Sequence, residues 1–224
     1  MLDERVLAIG VDIGGTFTDL VLVDEARRTI HSTKILTTPQ EPERAVLDGV
    51  RRILETVGRT ADGIRTLVHG TTLATNAIIE RKGAQTLLLT TKGFRDVLET
   101  RTELRYDLYD LFITFPEPLV PRRRRIGVTE RVTYDGAVET PLVRDDVLAA
   151  LEAEAADGIE SVAVCFLHSY TNPAHEVEAK AIIQEARPDL PVTLSSDVLP
   201  EIGEYGRVST TVANAYVQPI IDRY

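Results

Sequence analysis

Tryptophan is absent from this chain of 224 residues, aromatic side chains of every kind make up 5% of it, and it holds one cysteine. A lone cysteine excludes an internal disulfide framework and a thiolate-rich zinc site, and it suits a reducing compartment. Cys165 lies in the apolar run Val162–Leu167, which reads as inert core packing rather than a reactive thiol. No apolar run approaches the length of a membrane span. The opening Met1-Leu2-Asp3-Glu4-Arg5 lacks the basic patch and apolar core of a secretion signal. The expectation is therefore a cytoplasmic protein with no membrane partner. Positive charge is also in short supply: 25 Lys and Arg stand against 35 Asp and Glu, a net charge of -10. That balance argues against a nucleic-acid partner. The one basic run, Arg122 to Arg125, reads as a solvated face or a protein contact. Neither Gly-x-Gly-x-x-Gly nor Gly-x-x-x-x-Gly-Lys-Ser/Thr occurs at the N-terminus, which removes the Rossmann and P-loop readings.

What is present is an ordinary globular composition, 43% hydrophobic and 27% charged, long enough for one large or two small domains. The most informative stretch is Gly10-Val11-Asp12-Ile13-Gly14-Gly15-Thr16-Phe17-Thr18-Asp19, set between two apolar strands, 5–10 and 20–24. An Asp, a Gly-Gly turn and two threonines make a hairpin with particular chemistry. Paired glycines permit positive φ and leave no Cβ between backbone N–H groups and an anion. Thr16 and Thr18 are expected on one face, adding hydroxyl donors. Asp12 offers a hard oxygen to magnesium. The set suits a nucleotide triphosphate tail. A plain tight hairpin also uses Gly-Gly, so spacing alone leaves both readings open.

Farther on, the pattern predicts a third antiparallel strand over 29–36 and a helix introduced by a capping box at Thr38-Pro39-Gln40-Glu41 and ended by Gly58. A strand over 64–69, a helix over 73–82 and a strand over 86–90 follow. This order is that of a ribonuclease-H-like half domain, with the first three strands antiparallel. The aromatics Tyr106, Tyr109, Phe112 and Phe115 are expected to pack a long loop onto the domain. A hairpin turning at Asp135-Gly136, helices over 145–156 and after Asn172, and a last helix from Glu204 complete the reading. That helix is still running at Tyr224, which suggests a piece of a longer chain. The second place to look for chemistry is His69-Gly70-Thr71-Thr72, where a strand hands over to a helix at a sheet edge. There Thr71 or Thr72 also serves simply as a helix cap, and His69 as a core residue. Arg95 and Asp96 read as a surface salt bridge.

The pattern Asp-x-Gly-Gly-Thr-x-Thr-Asp resembles the first phosphate motif of the actin-like ATPase and sugar-kinase superfamily. With His69–Ala77, Gly93–Glu99, Tyr106–Leu111, Pro118–Pro121, Glu130-Arg131-Val132 and Glu204–Thr211, the chain resembles the N-terminal region of the hydantoinase A/5-oxoprolinase/acetone carboxylase family. The resemblance covers nearly the whole chain, although Arg101–Arg105 departs from the Gly-Arg-Gln-like segment of many hydantoinases. It implies an α/β fold: a ribonuclease-H-like mixed sheet, first lobe only, with an additional α/β portion. The implied division is 1–100 for the phosphate-binding half, 101–203 for the further α/β portion, and 204–224 for a helix leading to a second lobe. It also implies ATP and Mg2+ as cofactors, a cyclic amide or ketone as substrate, and a hydantoinase B-type partner subunit. The implied activity is phosphorylation of a cyclic amide carbonyl for hydrolytic ring opening. A ketone carboxylase subunit and a non-catalytic ATP-binding module are the alternatives. On this reading Asp12 and Thr72 are catalytic, Asp12 also holding the metal. Gly14, Gly15, Thr16, Phe17 and Thr18 bind the nucleotide, and His69, Thr71 and Asn76 face the substrate.

Overall fold

The computed structural model describes residues 6–38, 41–102, 104–155 and 158–223. The chain divides into two units, Met1–Glu80 with Ile220–Tyr224, and Arg81–Pro219.

In the first unit, β1 (Leu7–Ile13), β2 (Phe17–Asp24) and β3 (Thr29–Leu36) form the expected antiparallel meander. Helix α1 (Pro42–Val57) follows, then β4 (Ile64–Thr71), which returns parallel to β1, and α2 (Leu73–Ile79). Strand order is β3-β2-β1-β4. Strict alternation sends Leu7, Ile9, Val11 and Ile13 of β1 and Leu20 and Leu22 of β2 to one face, where Ile53, Leu54 and Val57 of α1 cover them. α1 carries Pro42 at its start and ends at Gly58 in the left-handed conformation (φ 63°). Glu41 occupies the cap position without a side-chain cap bond. Pro39 and Gln40 of the expected capping box lie outside the described residues, as does Arg5 of the expected first strand.

The second unit holds β5 (Thr86–Thr91), α3 (Val97–Thr100), β6 (Arg125–Val128) and a small hairpin, β7 (Arg131–Val132) and β8 (Val138–Thr140). Then come α4 (Arg144–Ala155), β9 (Ser161–Cys165), α5 (Ala174–Ala186), β10 (Val192–Leu194), α6 (Ser195–Val198) and α7 (Glu204–Arg223), of which the part up to Pro219 belongs to this unit. Its main sheet is wholly parallel, in the order β10-β9-β5-β6. One face carries Leu87, Leu89, Val162 and Val164 against α4 and α5. The other packs Leu88, Ala163 and Cys165 on Val208, Val212 and Ala215 of α7.

Several expectations change here. β5 does not extend the first sheet. All six of its residues are buried, and a strand apolar on both faces needs the middle of a sheet covered on both sides, which only the second unit provides. The two compact units divide at Glu80/Arg81. The basic run is not a solvated face throughout: Arg124 and Arg125 are 4% and 1% exposed. Arg124 donates to Glu154 Oε2 (3.2 Å), and Arg125 Nε donates to the Val120 carbonyl (2.9 Å). The loop aromatics do not pack down either, since Tyr106, Tyr109 and Phe112 are exposed. Asp96 pairs with Arg122 rather than Arg95, by two hydrogen bonds of 2.8 and 2.9 Å. Among the described residues no helix is long and apolar enough to cross a membrane.

Candidate functional site

The Gly-Gly hairpin joins β1 to β2 and is closed by the Gly14 N–H donating to the Phe17 carbonyl (2.9 Å). Neither Gly14 nor Gly15 has positive φ, contrary to the expectation. Space is the reason for glycine. A Cβ on Gly14 would stand 3.0 Å from the Phe17 carbonyl oxygen, and one on Gly15 would stand 3.3 Å from Asn76 Nδ2. The N–H groups of Gly15 and Thr16 have no hydrogen-bond partner among the described residues, so two donors are left at the turn.

Thr16 and Thr18 do not share a face. β2 begins only at Phe17, and its alternation turns Thr18 inward with Leu20, leaving it 0% exposed, whereas Thr16 is exposed. Thr37 Oγ1 gives its proton to the Gly14 carbonyl (2.8 Å) and lies 2.9 Å from Thr18 Oγ1, which must therefore be the donor of that second bond. The Thr37 N–H also reaches the Thr16 carbonyl (3.0 Å). Thr18 thus braces the turn from beneath. Thr37 is a residue that sequence reasoning missed; it lies just past β3 and gives no motif signal.

Asp12 is exposed near the end of β1. Its cross-strand neighbours in register are Asp19 on β2 and Gly70 on β4, and registered neighbours project to the same face. Two carboxylates therefore stand abreast beside a position without a side chain. Gly10 and Gly70 both have open space where a Cβ would be. Asp19 also contacts Lys34, its own register partner on β3 (3.2 Å), and Lys34 Nζ lies 5.0 Å from the Phe17 ring centroid. Asp19 was quoted in the motif but given no role; the alternation of β2 carries the signal for it.

The β4–α2 junction sits against the same turn. The Thr72 N–H donates to the Ile13 carbonyl (3.3 Å), and Asn76 Nδ2 donates to Thr72 Oγ1 (3.0 Å). With Asn76 close above Gly15, the hairpin and the Thr72–Asn76 pair form one cluster. Thr71 accepts from the Leu73 N–H (3.2 Å), while Thr72 stands at the cap position of α2 without a side-chain cap bond. His69 is not brought to Asp12. It is registered with Val11, so it projects from the face opposite to that of Asp12 and Gly70. The structure thus gathers Asp12, Gly14, Gly15, Thr16, Phe17, Thr72 and Asn76, with Thr18 beneath and His69 apart. Among the described residues no group of three or more His, Cys, Asp or Glu side chains forms a metal cage. Magnesium does not need one, since it is commonly held by one or two carboxylates together with phosphate oxygens and water. The Asp12–Asp19 pair is of that kind.

Caprolactamase subunit alpha from Pseudomonas jessenii is 37% identical over 229 residues, covering 100% of this chain and 33% of that protein. The 5-oxoprolinase of Saccharomyces cerevisiae is 34% identical over 257 residues, covering 97% of this chain and 20% of the relative. The crystal structure of the ATP-dependent caprolactamase from P. jessenii superposes with a TM-score of 0.85 at 37% identity, covering 97% of this chain and 32% of that one. A nucleotide-free acetone carboxylase superposes with a TM-score of 0.81 at 27% identity, covering 95% and 32%. The chain spans about a third or less of the length of these relatives. The model of the hydantoinase/oxoprolinase N-terminal region matches residues 8–187, and the chain belongs to that family.

Proposed function

We propose that this chain is the nucleotide-binding N-terminal part of an ATP-dependent enzyme that activates a cyclic amide carbonyl by phosphorylation for hydrolytic ring opening. The first unit is taken as the ribonuclease-H-like, actin-like first lobe, and a hydantoinase B-type subunit as the partner. The observation that carries the reading is the pairing of Asp12 and Asp19 on a bare sheet face beside a turn with two unpartnered N–H groups. Like charges directly opposite on neighbouring strands are unfavourable. A divalent cation on that face offsets the repulsion, and a polyphosphate takes the turn donors. Relatives whose printed names describe ATP-dependent caprolactamase and 5-oxoprolinase support the same reading.

An unstrained amide is a poor electrophile, and transfer of a phosphoryl group to its oxygen turns that oxygen into a leaving group. Phosphoryl transfer is governed by positioning and by neutralisation of charge. Magnesium supplies the second when bound, and the residues around it supply the first. Asp12 and Asp19 fix the cation, Gly15 and Thr16 orient the phosphates, and Thr72, held by Asn76, reaches the same place with its hydroxyl. The likeness to acetone carboxylase favours one second reading, activation of a ketone or bicarbonate by the same machinery.

Calorimetric titration with magnesium and a non-hydrolysable ATP analogue tests the site. Asp12→Asn is expected to weaken binding by at least about tenfold, or roughly 1.4 kcal/mol. Unchanged affinity in that variant would overturn the assignment. ATP turnover stimulated by cyclic amides rather than by ketone plus bicarbonate, in the assembled enzyme, separates the two readings.

A further inference from the structure

Within the second unit, Glu99 of α3, Arg101 and residues of the segment 115–125 line a cavity of about 420 Å3, in the range of small-molecule sites. Three guanidinium groups, Arg101, Arg122 and Arg125, and two carboxylates, Glu99 and Glu117, line it with the Phe115 ring. Arg122 is committed to Asp96 by its two hydrogen bonds. Arg101 lies over Phe115, 4.3 Å from the ring centroid, and donates to the Pro116 carbonyl (2.6 Å). Arg125 differs. It is 1% exposed, and its Nη1 lies 3.1 Å from Glu99 Oε1 but makes no hydrogen bond. A buried donor left without a hydrogen bond is unfavourable, so a ligand oxygen placed there is favoured.

A pocket for a simple anion would carry cations alone. This one presents both signs within one volume, on an apolar floor of proline and phenylalanine. We propose that it binds an amino acid: a carboxylate on the Arg125 and Arg101 side, an ammonium toward Glu99 and Glu117, and a methylene chain along Phe115. Addition of water across an amide C–N bond within a ring places oxygen on the carbonyl carbon and a proton on nitrogen. The result is one molecule bearing both a carboxylate and an amine. The choice of ligand rests on the function proposed above; the binding itself does not.

Calorimetry of the chain with 6-aminohexanoate, glutamate, hexanoate and hexylamine tests this. One or both amino acids are expected to bind, and hexanoate and hexylamine to bind at least about tenfold more weakly. Arg101→Gln at a half-buried side chain and Glu99→Gln at an exposed one are each expected to weaken the tightest amino acid by about fivefold or more while leaving the melting temperature in place. Arg125→Lys should weaken it further. The proposal falls if neither amino acid binds, if hexanoate binds as tightly as 6-aminohexanoate, or if all three variants bind as the parent does. Asp12→Asn is expected to lose the nucleotide titration and keep the amino-acid one. In the parent chain, absence of one titration with the other present identifies which proposal has failed.

Discussion

Replacing Thr37 by Val keeps the side-chain volume nearly constant and removes one hydroxyl, the one that holds the Gly14 carbonyl and receives the Thr18 proton. Two buried or half-buried polar groups then lose their partner, so Thr37→Val is expected to destabilise the first unit by about 1–3 kcal/mol in denaturant titration. Nucleotide affinity should fall as well, because the turn is no longer braced. A loss of stability as small as that of a surface substitution would show that the brace is not needed. Cys165 offers a contrasting residue-scale test. Burial is the main cause that pushes its thiol up to about 11, against the opposing pull of Arg207. The native protein at pH 8 is therefore expected to resist a thiol-specific disulfide reagent, with labelling appearing only as denaturant unfolds the second unit.

At the scale of elements, Asp146 in the first turn of α4 accepts the Thr129 backbone N–H at 2.8 Å, across the link from β6. Hydrogen bonds from the Thr129 hydroxyl and N–H hold its carboxyl below the usual carboxylate value, against an opposing effect of burial. A folded-state value below the unfolded one means that the bond stabilises above about pH 3.9 and that its contribution is lost as pH falls through the folded value. Asp146→Asn should therefore differ from the parent in denaturation midpoint at pH 7 and converge with it at the acid end. A constant difference across that range would assign the effect to packing instead. The meander and the end of α1 were legible because local signals agree there: period-two alternation in the strands and Gly58 closing the helix. β6 was not legible, because a strand that opens on Arg125 looks like a charged loop until Val120 and Glu99 are seen to hold that side chain. The destination of β5 was equally hidden. Thr86–Thr91 reads as a strand in any setting, and only its pairing with β9, some 75 residues on, decides the sheet. In the site, Asp12 was readable from the motif. The separation of His69 from it depends on the register of β4 against β1, which no local pattern specifies.

For the whole molecule, ligand binding to the native state alone raises stability by mass action, by about 2.7 kcal/mol at a hundredfold excess over Kd. Hydrogen exchange with magnesium and the ATP analogue is expected to slow at residues 12–19 and 70–76 and to leave the parallel sheet of the second unit unchanged. Protection centred instead on 99–125 would move the nucleotide to the wrong unit. In the second unit, Ala84 just before β5 donates its N–H to the Tyr216 carbonyl (2.8 Å), and a Cβ on Gly83 would come within 2.0 Å of the Tyr216 ring. The beginning of that unit is thus fastened by a residue of α7, more than a hundred positions later. A ribosome emitting the chain from its amino end must release residue 216 before this clasp can shut. Until then Leu88, Ala163 and Cys165 face water where Val208, Val212 and Ala215 will lie, and a nascent chain stalled short of residue 216 presents that apolar surface to chaperones.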